Sequence, residues 1–126
     1  MQYEDFIFRV QSLAGLDAAE DGRVASQAAL TTLGECLTAE EAEDLAAQLP
    51  KGLGKYLTEE SDSGKAAGYS LEDFYRRVGE RAGLHFGEAK SRSRAVAQAL
   101  EDAVSDTEIQ DMRSLLPSGL DSLFDR

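Results

Sequence analysis

Cysteine occurs once and histidine once in this chain, and each scarcity removes a class of chemistry. One cysteine closes no internal disulfide and furnishes no cysteine zinc site. One histidine, His85, with Ala82 rather than a glutamate three residues ahead of it, cannot supply the two Glu-x-x-His pairs through which helical bundles hold paired metals. No apolar run approaches the roughly eighteen residues of a membrane span, and the opening MQYEDFIFRV lacks the basic-then-apolar order of a secretory signal. Positive charge is short as well. Against 24 Asp+Glu stand 13 Lys+Arg, a net charge of −11, so the summed field repels phosphate backbones and anionic membrane surfaces. These deficits predict a cytoplasmic protein with no metal, no cofactor, no nucleic-acid partner and no membrane contact.

What is present is ordinary globular material. Hydrophobic residues make up 42 % and charged residues 29 % of 126, which is too apolar for disorder and enough for one compact domain. Sliding the chain on itself by 68 residues pairs Glu4, Asp5, Phe6, Arg9 and Val10 with Glu72, Asp73, Phe74, Arg77 and Val78. The same shift pairs Ala14, Gly15, Leu16 and Glu20 with Ala82, Gly83, Leu84 and Glu88. Nine of 17 positions from 4 to 20 are identical, where chance supplies about one. A shift of 67 then matches Glu41, Asp44, Leu49, Pro50, Gly52 and Leu53 with Glu108, Asp111, Leu116, Pro117, Gly119 and Leu120. The chain is a sequence repeat with a one-residue indel between positions 20 and 28.

Each copy reads as helix, because apolar residues recur at helical spacing and the alternation of strands is missing. Tyr3, Phe6, Val10 and Leu13 form a first stripe, answered by Leu71, Phe74 and Val78, and Gly15 and Gly83 are placed to stop these helices as left-handed caps. The second helix is expected to open at Asp17 with Glu20 in a capping box and to run to about Leu37. It should bury Ala25, Ala29, Thr32, Leu33, Cys36 and Leu37, as its counterpart should bury Val96, Ala99, Leu100, Ala103 and Val104. Thr38-x-x-Glu41 and Ser105-x-x-Glu108 read as capping boxes of a third helix that Pro50 or Pro117 ends, each proline then opening a short fourth helix. The fold class predicted is all-α, a pseudo-two-fold bundle of two units with about four helices each: repeat one 3–57, linker 58–70, repeat two 71–124. One copy buries too little surface alone, so the two should share one core.

The strings EAEDLAAQLP (Glu41–Pro50) and LEDFYRRVGERAGL (Leu71–Leu84), in the doubled order helix, Gly-Leu, helix, capping box, Leu-Pro, resemble the bacterial and archaeal family catalogued as domain of unknown function 2267. That resemblance covers nearly the whole chain and implies a small all-helical cytoplasmic protein with no assigned activity. Where the family tends to carry an aromatic, tryptophan-containing stretch after the proline, this chain has GLGKYLTEESDS.

No catalytic constellation can be assembled from these residues. His85 lies in a loop with no nucleophile placed against it, and Cys36 has no histidine in its copy and Ala103 as its counterpart, the pattern of a buried structural thiol. Glu59, Glu60 and Asp62 lack the alternation, central glycine and terminal glutamate of a calcium loop, and no phosphate-binding glycine loop occurs. Charge, by contrast, is unevenly divided. Residues 1–63 hold 4 basic and 13 acidic side chains (net −9), and residues 64–126 hold 9 and 11 (net −2). Arg77, Arg81, Lys90, Arg92 and Arg94 (with Arg76) gather near the first loop of copy two, and Glu40, Glu41, Glu43 and Asp44 crowd the third helix of copy one. The reading is a non-enzymatic interaction protein that binds a protein partner or self-associates through these charged faces. The alternative is a small-ligand or anion-binding protein using the arginine cluster.

Overall fold

The computed structural model describes residues 1–64 and 69–125. In chain order they form α1 (Tyr3–Ala14), α2 (Ala19–Glu35), α3 (Ala39–Gln48), α4 (Gly54–Glu59), α5 (Leu71–Ala82), α6 (Phe86–Ala103), α7 (Asp106–Leu115) and a closing 3-10 helix (Leu120–Phe124). No strand occurs among the described residues. The eighth element is therefore a 3-10 helix rather than a fourth α-helix. α4 extends to Glu59, so Thr58 and Glu59, assigned above to the linker, are helical; residues 65–68 of that linker lie outside the described residues.

The first helix of each half ends as its sequence dictates. Gly15 at φ +67° and Gly83 at φ +69° take the left-handed cap, and the amides of Leu16 and Leu84 bond back to Gln11 and Gly79, each at 2.9 Å. The second helix departs from expectation. Ala18, not Asp17, caps α2, because the Asp17 carbonyl accepts from Gln11 Nε2 at 3.3 Å and Glu20 turns to Arg23 at 2.7 Å. α2 ends at Glu35 rather than Leu37, the amides of Cys36 and Leu37 closing a tighter last turn onto Leu33 and Gly34 so that Thr38 can start α3 at once. Neither proline opens a helix. Pro50 and Pro117 accept instead from the amides of Leu53 and Leu120 at 3.1 Å each, in turns whose Gly52 (φ +99°) and Gly119 (φ +91°) a right-handed helix cannot accommodate.

One contiguous core joins both halves, built on Phe6, Val10, Leu33, Leu45, Phe74, Val78, Leu100 and Met112. At about 1.5–3 kcal/mol for each large apolar side chain buried, this cluster is the main favourable term in the fold. Ile7 takes the place in it that the α1 stripe reserved for Leu13, which is exposed, and Cys36, Ala103 and Leu116 are half-buried against its edge. α1 packs on α6 and α5 on α2, while α2 also touches α6. α4 lies against α2 and α3 so closely that a Cβ at Gly34 would overlap the Leu57 carbonyl, and one at Gly54 would come within 2.9 Å of the Ala46 Cβ. α3 and α7 touch only along a short stretch, and that light contact shapes the surface described next.

Candidate functional site

The six basic residues singled out in copy two do not converge on one surface. Arg81 Nη1 donates to Glu35 Oε1 at 2.6 Å and to Thr32 Oγ1 at 2.7 Å, and Arg77 Nε lies 3.7 Å from the same Glu35 oxygen. The Glu35 side chain has no exposed surface, so a buried carboxylate at the end of α2 is neutralised by two arginines from α5. Arg92 pairs with Glu88 at 3.6 Å, Arg94 donates to the Asp125 carbonyl, Arg76 pairs with Asp73 at 3.0 Å, and Lys90 stands exposed. The arginines gathered in sequence are thus largely engaged in separate pairs within the molecule among the described residues.

The same cluster perturbs its neighbours. Burial, and after it the Glu35 charge, pushes the Cys36 thiol up to about 12, far from a nucleophile at neutral pH. Burial, then Glu35, also raises the Tyr69 phenol. The register mates of Arg77 and Glu35, Arg9 and Asp102, likewise pair between the two halves, at 2.8 Å, but in the open. His85 caps α6, its amide donating to Glu88 Oε1 at 3.2 Å, and its ring is exposed.

The acids gather where the bases do not. Thr38 and Glu41 form the reciprocal capping box expected of α3, at 2.8 Å (Thr38 amide to Glu41 Oε1) and 3.2 Å (Glu41 amide to Thr38 Oγ1). At α7 only half of the box forms. Ser105 Oγ accepts from the Glu108 amide at 3.3 Å, while the Ser105 amide donates to Gln48 Oε1 of α3 at 2.7 Å, which displaces the Glu108 carboxylate from the cap. A groove of about 440 Å³ runs between the two helices, with Glu40, Glu41 and Asp44 on one wall and Glu108 and Asp111 on the other. Loss of solvent first, and then the charges of Asp44 and Asp111, hold the Glu108 carboxyl above its usual value. Past Thr38, Glu41 and Leu115, which both spaces share, the groove opens into a second one of about 510 Å³ walled by Glu35, Cys36, Leu37, Asp62 and Pro117. Neither is lined by a lysine, arginine or histidine among the described residues.

Of the four acids singled out in sequence, Glu40, Glu41 and Asp44 line this groove, and Glu43 is exposed outside its lining. Sequence reasoning missed Glu108 and Asp111, although they are the register mates of Glu41 and Asp44. The repeat itself carried that signal. No group of three or more His, Cys, Asp or Glu among the described residues could hold a metal ion, and no described helix is long and apolar enough to cross a membrane.

Comparison with known proteins places the chain. A family model described as uncharacterized conserved protein (DUF2267) matches residues 3–123, and the chain belongs to that family. No curated protein matches it.

Proposed function

We propose that this family member is a non-enzymatic interaction protein of the cytoplasm whose acidic α3–α7 groove receives a basic protein partner. One observation carries the reading: Glu40, Glu41 and Asp44 face Glu108 and Asp111 across a groove with no cation in its described lining. Loss of solvent first, and after it the like charges of Asp44 and Asp111, disfavour the ionised Glu108 carboxyl in the folded protein. A partner that brings positive charge relieves that repulsion, which favours its binding in the groove.

Self-association through opposite faces has less support, because Arg77 and Arg81 are engaged with Glu35 and a second copy arrives with the same net charge of −11. The reading also takes the two halves as units related by an approximate two-fold axis. Reciprocal packing of α1 on α6 and α5 on α2, with Arg9–Asp102 matching Arg77–Glu35, supports it.

The test is titration of a short oligolysine into the protein at low and high salt, with Asp44→Lys/Asp111→Lys alongside. Binding at low salt that weakens as exposed pairs are screened, and that the double substitution abolishes, is the expected result. No binding at low salt, or binding indifferent to the substitutions, overturns the reading.

A further inference from the structure

We propose that the occupant of this groove is a basic amphipathic segment of another protein, which sets cationic side chains between α3 and α7 and one apolar side chain across Leu115. The inference rests on the proposed function and adds what charge alone does not require. Leu115 is 59 % exposed, a large aliphatic side chain at the junction of two spaces whose other shared walls are Thr38 and Glu41. A surface meant only to attract cations gains nothing from an exposed leucine, whereas apolar anchors with a charged rim are the usual build of a peptide groove.

The two spaces differ in the way such a segment needs. The first carries five carboxylates above a floor that includes buried Met112. The second is walled by Leu37, Cys36 and Pro117 together with Glu35, which is 3 % exposed and whose Oε2 has no hydrogen-bond partner among the described residues. Buried carboxylate oxygens are rarely left unmatched. Arg77 and Arg81 already flank Glu35, whose side chain has no exposed surface. What this space presents to a partner is therefore the apolar surface of Leu37 and Pro117 with the carboxylates of Glu41 and Asp62 at its side. The long stem and donating head of a lysine or arginine match that combination in one side chain. A nucleic acid or an anionic membrane is repelled by the first space, and a second copy of this chain by its own net charge.

Three synthetic peptides of equal length test this by calorimetric titration at low salt: alternating lysine and leucine, lysine and serine at the same spacing, and glutamate and leucine. The lysine–leucine peptide should bind about tenfold more tightly than lysine–serine, the worth of one well-covered leucine, and glutamate–leucine should not bind. Leu115→Ser should bring lysine–leucine down to the level of lysine–serine and leave the latter unchanged. Phe8→Ser, which alters an exposed aromatic on α1 outside the groove, should change neither. Equal binding of the two lysine peptides overturns the amphipathic inference and leaves the acidic-groove reading standing. So does lysine–leucine binding that responds to Phe8→Ser and not to Leu115→Ser. Failure of both lysine peptides overturns the reading itself. Leu115 and Phe8 are both exposed, so these variants retain the fold, which circular dichroism verifies.

Discussion

Arg81 donates to the carboxylate of Glu35 at 2.6 Å, across 46 residues of sequence, and fastens α5 to α2 at a point where the glutamate has no contact with water. Removing one partner strands the other. Arg81→Ala should therefore destabilise the protein by about 3–5 kcal/mol, the range for breaking a buried pair, read as a fall in the urea midpoint. A loss no larger than that of an exposed pair would mean that Arg77 neutralises Glu35 unaided.

The register mate of the Arg77 contact gives the control. Arg9 and Asp102 pair at 2.8 Å with side chains 45 % and 33 % exposed, so Arg9→Ala should cost only about 0.2–1 kcal/mol and less at high salt. Equal losses for Arg9→Ala and Arg81→Ala would contradict the difference in burial between the two pairs.

Glu108 sets a pH dependence whose sign follows from its raised carboxyl. A carboxyl that holds its proton longer in the folded state opposes folding once ionised, so the penalty is missing below the ordinary value of 4.5 and complete above the folded one. Glu108→Gln should accordingly raise the melting temperature at neutral pH and leave it unchanged in mild acid. A variant less stable than wild type at pH 7 would refute a Glu108 carboxyl held up by loss of solvent and by Asp44 and Asp111.

Leu33 and Leu100, register mates buried in one cluster, should each cost about 2–5 kcal/mol when truncated to alanine. Both variants should still unfold in one transition, monitored by circular dichroism and by tyrosine fluorescence together. Two separated transitions would show that the halves do not share a core.

The Cys36 thiol, pushed up to about 12, should react with a maleimide or with iodoacetamide at pH 8 far more slowly in the folded protein than in urea. Equal rates would place it in open solvent.

What the sequence made legible was local. Gly15 and Gly83 stop their helices, Thr38 and Glu41 cap α3, and Phe6, Val10, Phe74 and Val78 are buried, because each depends on neighbours within about two turns of chain. What was missed is decided at a distance. Arg77 and Arg81 read as part of a charged face open to a partner because nothing near them in sequence announces Glu35, which sits at the end of α2. Ser105 and Glu108 spell a capping box, yet Gln48 of another helix takes the amide the glutamate was expected to hold. The prolines misled for a local reason: Gly52 and Gly119, two residues on, adopt positive φ and close a turn before any helix can begin.

Because α1 rests on α6 and α5 on α2, neither half can be finished before the other exists. A ribosome releases α1 and α2 first, and the face that α1 keeps for α6 stays bare until residues as far as Ala103 have emerged. Through that interval the nascent chain is a sticky, half-built object. Its excess of negative charge, net −9 in residues 1–63, opposes the approach of two such unfinished chains by electrostatic repulsion.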